Sequence, residues 1–268
     1  MHEPLASPLA VTPLGDGVLR LTLNKPDRRN SLSEAMMAAL AETLDAVRSD
    51  PTVRVCILAA NGPAFCAGHD LKELSARRSD PDRGRAYFTD IMQRCSRLMQ
   101  AIVRLPQPVI AEIDGVATAA GCQLVASCDL AYASTHARFA TPGVNIGLFC
   151  STPMVALSRN LSNKHAMEML LSGDMITASE AERFGLINRA VAPDRLAEQT
   201  LAMARTIASK SALTVKIGKE AFYRQREMAL SDAYDYAATV MVENMLARDA
   251  EEGIGAFLEK RPPRWEDR

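Results

Sequence analysis

The sequence predicts an α/β fold with crossover connections that ends in an all-helical extension. Two observations carry this reading: segments with strand periodicity alternate with helical ones over residues 1–193, and from 194 onward only helical patterns remain. The 268 residues, 48% of them hydrophobic, are enough to bury a full core.

Taken in order, GVLRLTL (17–23) is a period-two strand. An amphipathic helix follows over 31–51, with Ser31 and Glu34 spaced as a capping box and Asp50-Pro51 closing it. VRVCILAA (53–60) is apolar, β-branched and bounded by Asn61-Gly62-Pro63, the pattern of a buried strand. After the loop AFCAGHDLKEL and a polar run comes a long helix over about 86–104. PVIAEIDG (108–115) is the next strand, a helix opens near Ala119 to Gly121, and short strands lie near LAYAS and ARFATP. The region 194–268 then holds four successive helical patterns whose apolar faces need a surface, either the core or another subunit.

Composition removes several function classes. Acids and bases nearly balance at a formal charge of -1, so no net field favours nucleic acid or an anionic membrane. The cysteines, at 56, 66, 95, 122, 128 and 150, form no CxxC pair and no zinc-like spacing; they read as reduced core thiols, with no metal site. The start, MHEPLASPLAVTPLGDG, lacks a basic segment followed by an apolar run, and no apolar stretch is long enough to span a bilayer. A soluble, cytoplasmic protein is the expectation.

Two joints suggest chemistry. Ala67 and Gly68 let the backbone turn closely before a helix start, and a second helix begins near Ala119 to Gly121 among small side chains. If the two joints face one another, two amides can converge on one oxygen and stabilise a thioester enolate. The alternative is a pair of ordinary small-residue turns.

The strings LNKPDRRNSLS, AFCAGHDLKEL, QPVIAEIDGVATAAGCQLVASCDLAYAS, FATPGVNIGLF, LSGDMITASEAERFGLINRAV and EEGIGAFLEKRPPRW stand in the order found in the enoyl-CoA hydratase/isomerase (crotonase) superfamily, which the chain resembles from about residue 11 onward. The resemblance implies a crotonase (ClpP-like) spiral of ββα repeats over 1–193 and a C-terminal helical region over 194–268 that helps form a homotrimer or a dimer of trimers. It implies a CoA-thioester site that needs no cofactor, with an oxyanion hole formed by the amides of His69 and Ala120. It also implies CoA contacts from Arg28 and Arg29, from the segment Ala67, Gly68, Asp70 and Leu71, and from Phe257 and Lys260 of a neighbouring subunit.

The family's two catalytic glutamates are absent: Gln123 and Gly143 stand in their places. Hydration needs one group to deliver water and another to protonate the α-carbon, and an amide has no titratable proton near neutral pH. Glu112, Asp114 and Asp129 lie nearby in sequence but not at matching positions. AGHDLKEL and TPGVNIGLF resemble the family's decarboxylase branch, where a histidine stands at the place of His69, although the tyrosine of that branch is replaced by Phe149-Cys150. Cys150 reads as a pocket-lining thiol, while Asn145, Ser151 and Thr152 rank below Gln123 as polar groups at the acyl site. Three readings follow: a hydratase-like lyase or isomerase of altered reaction, a decarboxylase or thioesterase using His69, and a non-catalytic acyl-CoA binder.

Overall fold

A computed structural model describes residues 7–268; the first six residues of the N-terminal reading above lie outside them. Ten strands form two sheets. The six-stranded sheet runs in the order β1 (Leu9–Pro13), β2 (Val18–Leu23), β3 (Val55–Ala60), β5 (Val109–Ile113), β7 (Leu130–Ser134) and β10 (Arg189–Val191). Only the β1–β2 pair is antiparallel. The four-stranded sheet runs β4 (Ala64–Cys66), β6 (Val116–Thr118), β8 (Arg138–Ala140) and β9 (Ile176–Thr177), parallel except for the last pair. β3 and β4, β5 and β6, and β7 and β8 are successive strands split between the two sheets, each pair followed by helix. Together with the helices this is the α/β crotonase fold that the sequence implied.

β3 shows how the core is divided. Val55 and Ile57 point into one apolar cluster with Leu196, Ala204 and Ala208 of α8 (Leu196–Ala208), whereas Cys56 and Leu58 point into the other. Strand alternation thus places a sheet between two apolar layers. The second layer includes α1 (Glu34–Ser49), which buries Met36, Met37, Leu40, Leu44 and Val47 at helical spacing, each worth about 1.5–3 kcal/mol of burial at most.

Helix α1 begins later than the capping-box spacing suggests. Ser33, not Ser31, is its N-cap, accepting from the Met36 amide at 3.2 Å. The cause is tertiary: Leu32 is held in a parallel bridge to His69, its amide donating to Gly68 O at 2.8 Å, which keeps residues 31–32 extended. The other long helix of this layer, α3, spans Arg85–Val103, and a short helix α2 covers Leu71–Ala76. α4 (Ala120–Ser127) is buried along its whole length. Strand β6, which precedes it, is hidden in sequence because it continues directly from β5 through Asp114-Gly115.

Helices α5 (Ser151–Leu157), α6 (Asn163–Ser172) and α7 (Ala178–Phe184) close the core. Beyond α8 come α9 (Ala212–Gln225), α10 (Leu230–Met245) and α11 (Arg248–Glu259). The C-terminal helices divide in two: α8 covers the large sheet, while α9 and α10 bury no residue fully. No helix among the described residues is long and apolar enough to cross a membrane.

Candidate active site

The two joints meet. β4 and β6 are parallel neighbours, so the turns after Cys66 and after Thr118 leave the same end of the small sheet. Their approach is close enough that a Cβ on Gly68 would fall 2.9 Å from Ala119 Cβ and 3.3 Å from the Ala120 nitrogen. Gly68 itself has φ +92°, a conformation that side chains oppose. One residue after Ala120, a Cβ on Gly121 would fall 2.1 Å from Cys66 O. Both glycines are therefore required by contact between the two turns. The Thr118 hydroxyl ties them together by donating to Ala67 O at 3.2 Å.

The amides at this junction are available. Ala120 is the first residue of α4, where a helix N–H has no intrahelical partner. At the Leu32 bridge it is Leu32 that donates, so the His69 N–H takes no part in that bond. Ala119, just before α4, sits at φ 51°, ψ -119°, a strained conformation for a residue with a Cβ.

Side chains around the junction fall into distinct roles. Both ring nitrogens of His69 are buried without a hydrogen-bond partner among the described residues. Burial pushes its pKa below the ordinary histidine range, the nearby Leu32 carbonyl opposing, so the ring is neutral at physiological pH. Asp70 caps α2, accepting from the Lys72 and Glu73 amides at 2.9 and 3.3 Å, and Leu71 is exposed. Gln123 is 4% exposed; the Cys95 thiol lies 3.9 Å from its Oε1, and its side chain helps line a cavity shared with Thr152.

Position 143 is closed. A Cβ there would fall 2.6 Å from Leu148 O and 2.9 Å from Cys150 Sγ, because the Leu148 amide donates to Gly143 O and folds the loop back on it. Asn145 and Ser151 are exposed beyond this loop.

The three nearby acids are engaged in structure. Glu112 pairs with Arg20, and burial raises its pKa. Asp114 accepts from the Ser134 hydroxyl at 2.6 Å, and Asp129 accepts from Lys219 at 2.6 Å and Tyr223 at 3.0 Å. The six thiols are free and buried.

Arg28 and Arg29 are exposed on the loop before α1, and Arg29 O accepts from the Ala67 amide at 3.1 Å, which sets this loop beside the first joint. Sequence reasoning missed the residue that fixes it. Asn30 is wholly buried, accepts from the Lys25 amide at 2.7 Å and donates to Asn61 O and Ala64 O, both at 2.8 Å. Phe257 is 82% exposed and Lys260 is exposed, so the chain does not bury either against its own joint.

Comparison with known proteins gives the family. The model of the enoyl-CoA hydratase/isomerase family matches residues 14–268. The rat enoyl-CoA hydratase domain-containing protein 3 is 47% identical over 93% of this chain and 82% of its own length. A crystal structure of an enoyl-CoA hydratase from Mycobacterium smegmatis superposes with a TM-score of 0.92 at 51% identity, covering 98% of this chain and 99% of that one. The human enoyl-CoA hydratase domain-containing protein 3 gives 0.91 at 46% identity, covering 96% and 100%.

The rat and human proteins are mitochondrial, which overturns the cytoplasmic expectation. That expectation rested on what the first seventeen residues lack, and a targeting leader is separate from the folded domain. Family model, relatives and fold agree: the chain belongs to the enoyl-CoA hydratase/isomerase family.

Proposed function

We propose that this protein binds an acyl-CoA thioester and stabilises its enolate with the backbone amides of His69 and Ala120, without the paired-glutamate hydration of the family. The carrying observation is the contact of Gly68 with Ala119 and Ala120, which sets both amide-bearing turns side by side at the same end of one sheet. Donors fixed in advance at a developing oxyanion are worth about 10²- to 10³-fold in rate each. Each missing general acid or base removes roughly 10²- to 10⁴-fold. The reaction that suits such a site makes its enolate without a strong base.

The unpartnered, neutral His69 ring favours a second reading within the same chemistry, a decarboxylase or thioesterase. Loss of carbon dioxide from a thioester that carries its carboxylate on the α-carbon, as malonyl-CoA does, leaves the bonding electrons in the enolate and requires only a later proton at that carbon. The CoA contacts are Arg28, Arg29 and the 67–71 backbone, with Phe257 and Lys260 reaching a neighbour's site. The exposed apolar residues of α10 and α11, Leu230, Met245 and Phe257 among them, support a homotrimer or a dimer of trimers.

Mass spectrometry of enoyl-, malonyl- and saturated acyl-CoA thioesters incubated with the protein tests the proposal. Gain of water, loss of carbon dioxide or release of CoA, absent with Gly68→Ala, names the reaction. Loss of turnover in His69→Ala at unchanged affinity supports the second reading, and unchanged turnover removes it. No change in any thioester, with binding retained, leaves a non-catalytic acyl-CoA binder.

A further inference from the structure

The cavity beside Gln123 has a charge unlike that of the chain as a whole. It occupies about 1020 Å³ between α3, α4, α5 and α9, and its apolar lining includes Met99, Val103 and Val155. Seven of its lining side chains are Lys or Arg and two are Glu, in a chain whose net charge is -1. Lys219 is neutralised by Asp129 at 2.6 Å, and Arg159 faces Glu227 at 3.4 Å. The other five cations, exposed Arg104 and Lys216 among them, form no ion pair among the described residues. A cleft lined by one sign of charge concentrates ligands of the other sign.

We infer that the acyl group taken by this protein ends in a carboxylate. The inference rests on the acyl-CoA reading above and deepens it by naming the substrate class. Gln123 lies one helical turn after Ala120 on α4 and lines the cavity, so an acyl chain held at Ala120 and running along this face of α4 reaches the cavity. A methyl-terminated chain would bring those cations no counter-charge, whereas a carboxylate gains charge-assisted hydrogen bonds there.

Calorimetric titration of the whole protein with adipyl-CoA, hexanoyl-CoA and free CoA tests this without any chemical step. Adipyl-CoA is expected to bind about tenfold more tightly than hexanoyl-CoA, the effect of one hydrogen-bonded charge. In Arg104→Gln/Lys216→Gln, which alters two exposed side chains, that preference falls to within about threefold while hexanoyl-CoA and free CoA bind as before. Equal binding of the two thioesters by the wild-type protein overturns the inference. So does a preference that survives the double variant, or an equal loss for free CoA, which would assign the cations to CoA phosphates. Binding of neither thioester overturns the acyl-CoA reading itself, and this inference with it.

Discussion

The junction of the 66–71 and 118–123 turns and the loop at 142–150 use glycine for opposite ends. At the junction, Gly68 and Gly121 remove side chains so that two backbones touch and their amides stay open. In the loop, Gly143 removes a side chain and the chain's own Leu148 carbonyl and Cys150 sulfur take the space. If, as proposed, Gly143 stands at the place of a family glutamate, that place is a wall filled by the chain's own loop rather than an empty slot. On the proposed function, the oxyanion site persists while the proton-transfer half of the chemistry is closed by packing.

The largest expected effect is at Gly121. An added Cβ meets Cys66 O at 2.1 Å and Cys66 C at 2.7 Å, and strand backbone cannot rotate away as a flexible side chain would. Gly121→Ala should lose more than about 4 kcal/mol, at the extreme of single substitutions, read as a fall in the urea midpoint or failure to accumulate as folded protein. Near-wild-type stability would mean the two turns are not in contact.

Next comes the rebuilt wall. Gly143→Glu together with Gln123→Glu restores both carboxylates in name, but the first must displace Leu148 O. The expected outcome is a loss of about 2–3 kcal/mol and no more than a tenfold gain in water addition to enoyl-CoA. A functioning pair would supply 10⁴-fold or more, so a gain of that size would show that the wall opens freely.

Gly68→Ala forces a side chain into φ +92° and against Ala119, with an expected loss of about 1–3 kcal/mol and a drop of about 10² in whichever thioester reaction is found. Ala119→Gly is the converse. Relief of the φ 51° strain should raise stability by about 1 kcal/mol, roughly 2 °C in Tm for a chain of this size, seen by differential scanning calorimetry. An unchanged or lower Tm would mean that Ala119 is not strained.

Much of the junction was legible because it is written locally. Gly68, His69 and Ala120 sit at strand-to-helix turns that small residues mark, and residues matching the family surround them. The 142–150 wall was not legible: nothing in TPGVNIGLFC says that Leu148 O returns to within 2.6 Å of where a side chain at 143 would begin. Asn30 was missed for a related reason. Its three hydrogen bonds reach backbone 5 to 34 residues away, and a polar residue buried by long-range bonds leaves no periodicity. The start of α1 was misread because the bridge from Leu32 to the His69 turn overrides a local capping pattern. Local turns were readable; loops that close on distant backbone were not.

The smallest effect separates the two regions by their sulfur chemistry. Cys66 and Cys122 lie behind the junction at 0% exposure, and burial pushes both thiols up to about 12. At pH 8 only about one in ten thousand of each is thiolate, the form that reacts. Cys150 is 9% exposed on the rebuilt wall; burial raises its pKa too, but the Gly143 amide opposes the shift. Mild alkylation with iodoacetamide at pH 8, mapped by mass spectrometry, should label Cys150 first and leave Cys66 and Cys122 untouched until denaturant is added. Raising the pH toward 9 should speed Cys150 by increasing its thiolate fraction while Cys66 stays unlabelled, since access as well as ionisation protects it. Labelling of Cys66 at the rate of Cys150 would mean that the junction opens in solution, and a junction that opens cannot hold two amides fixed on one oxygen.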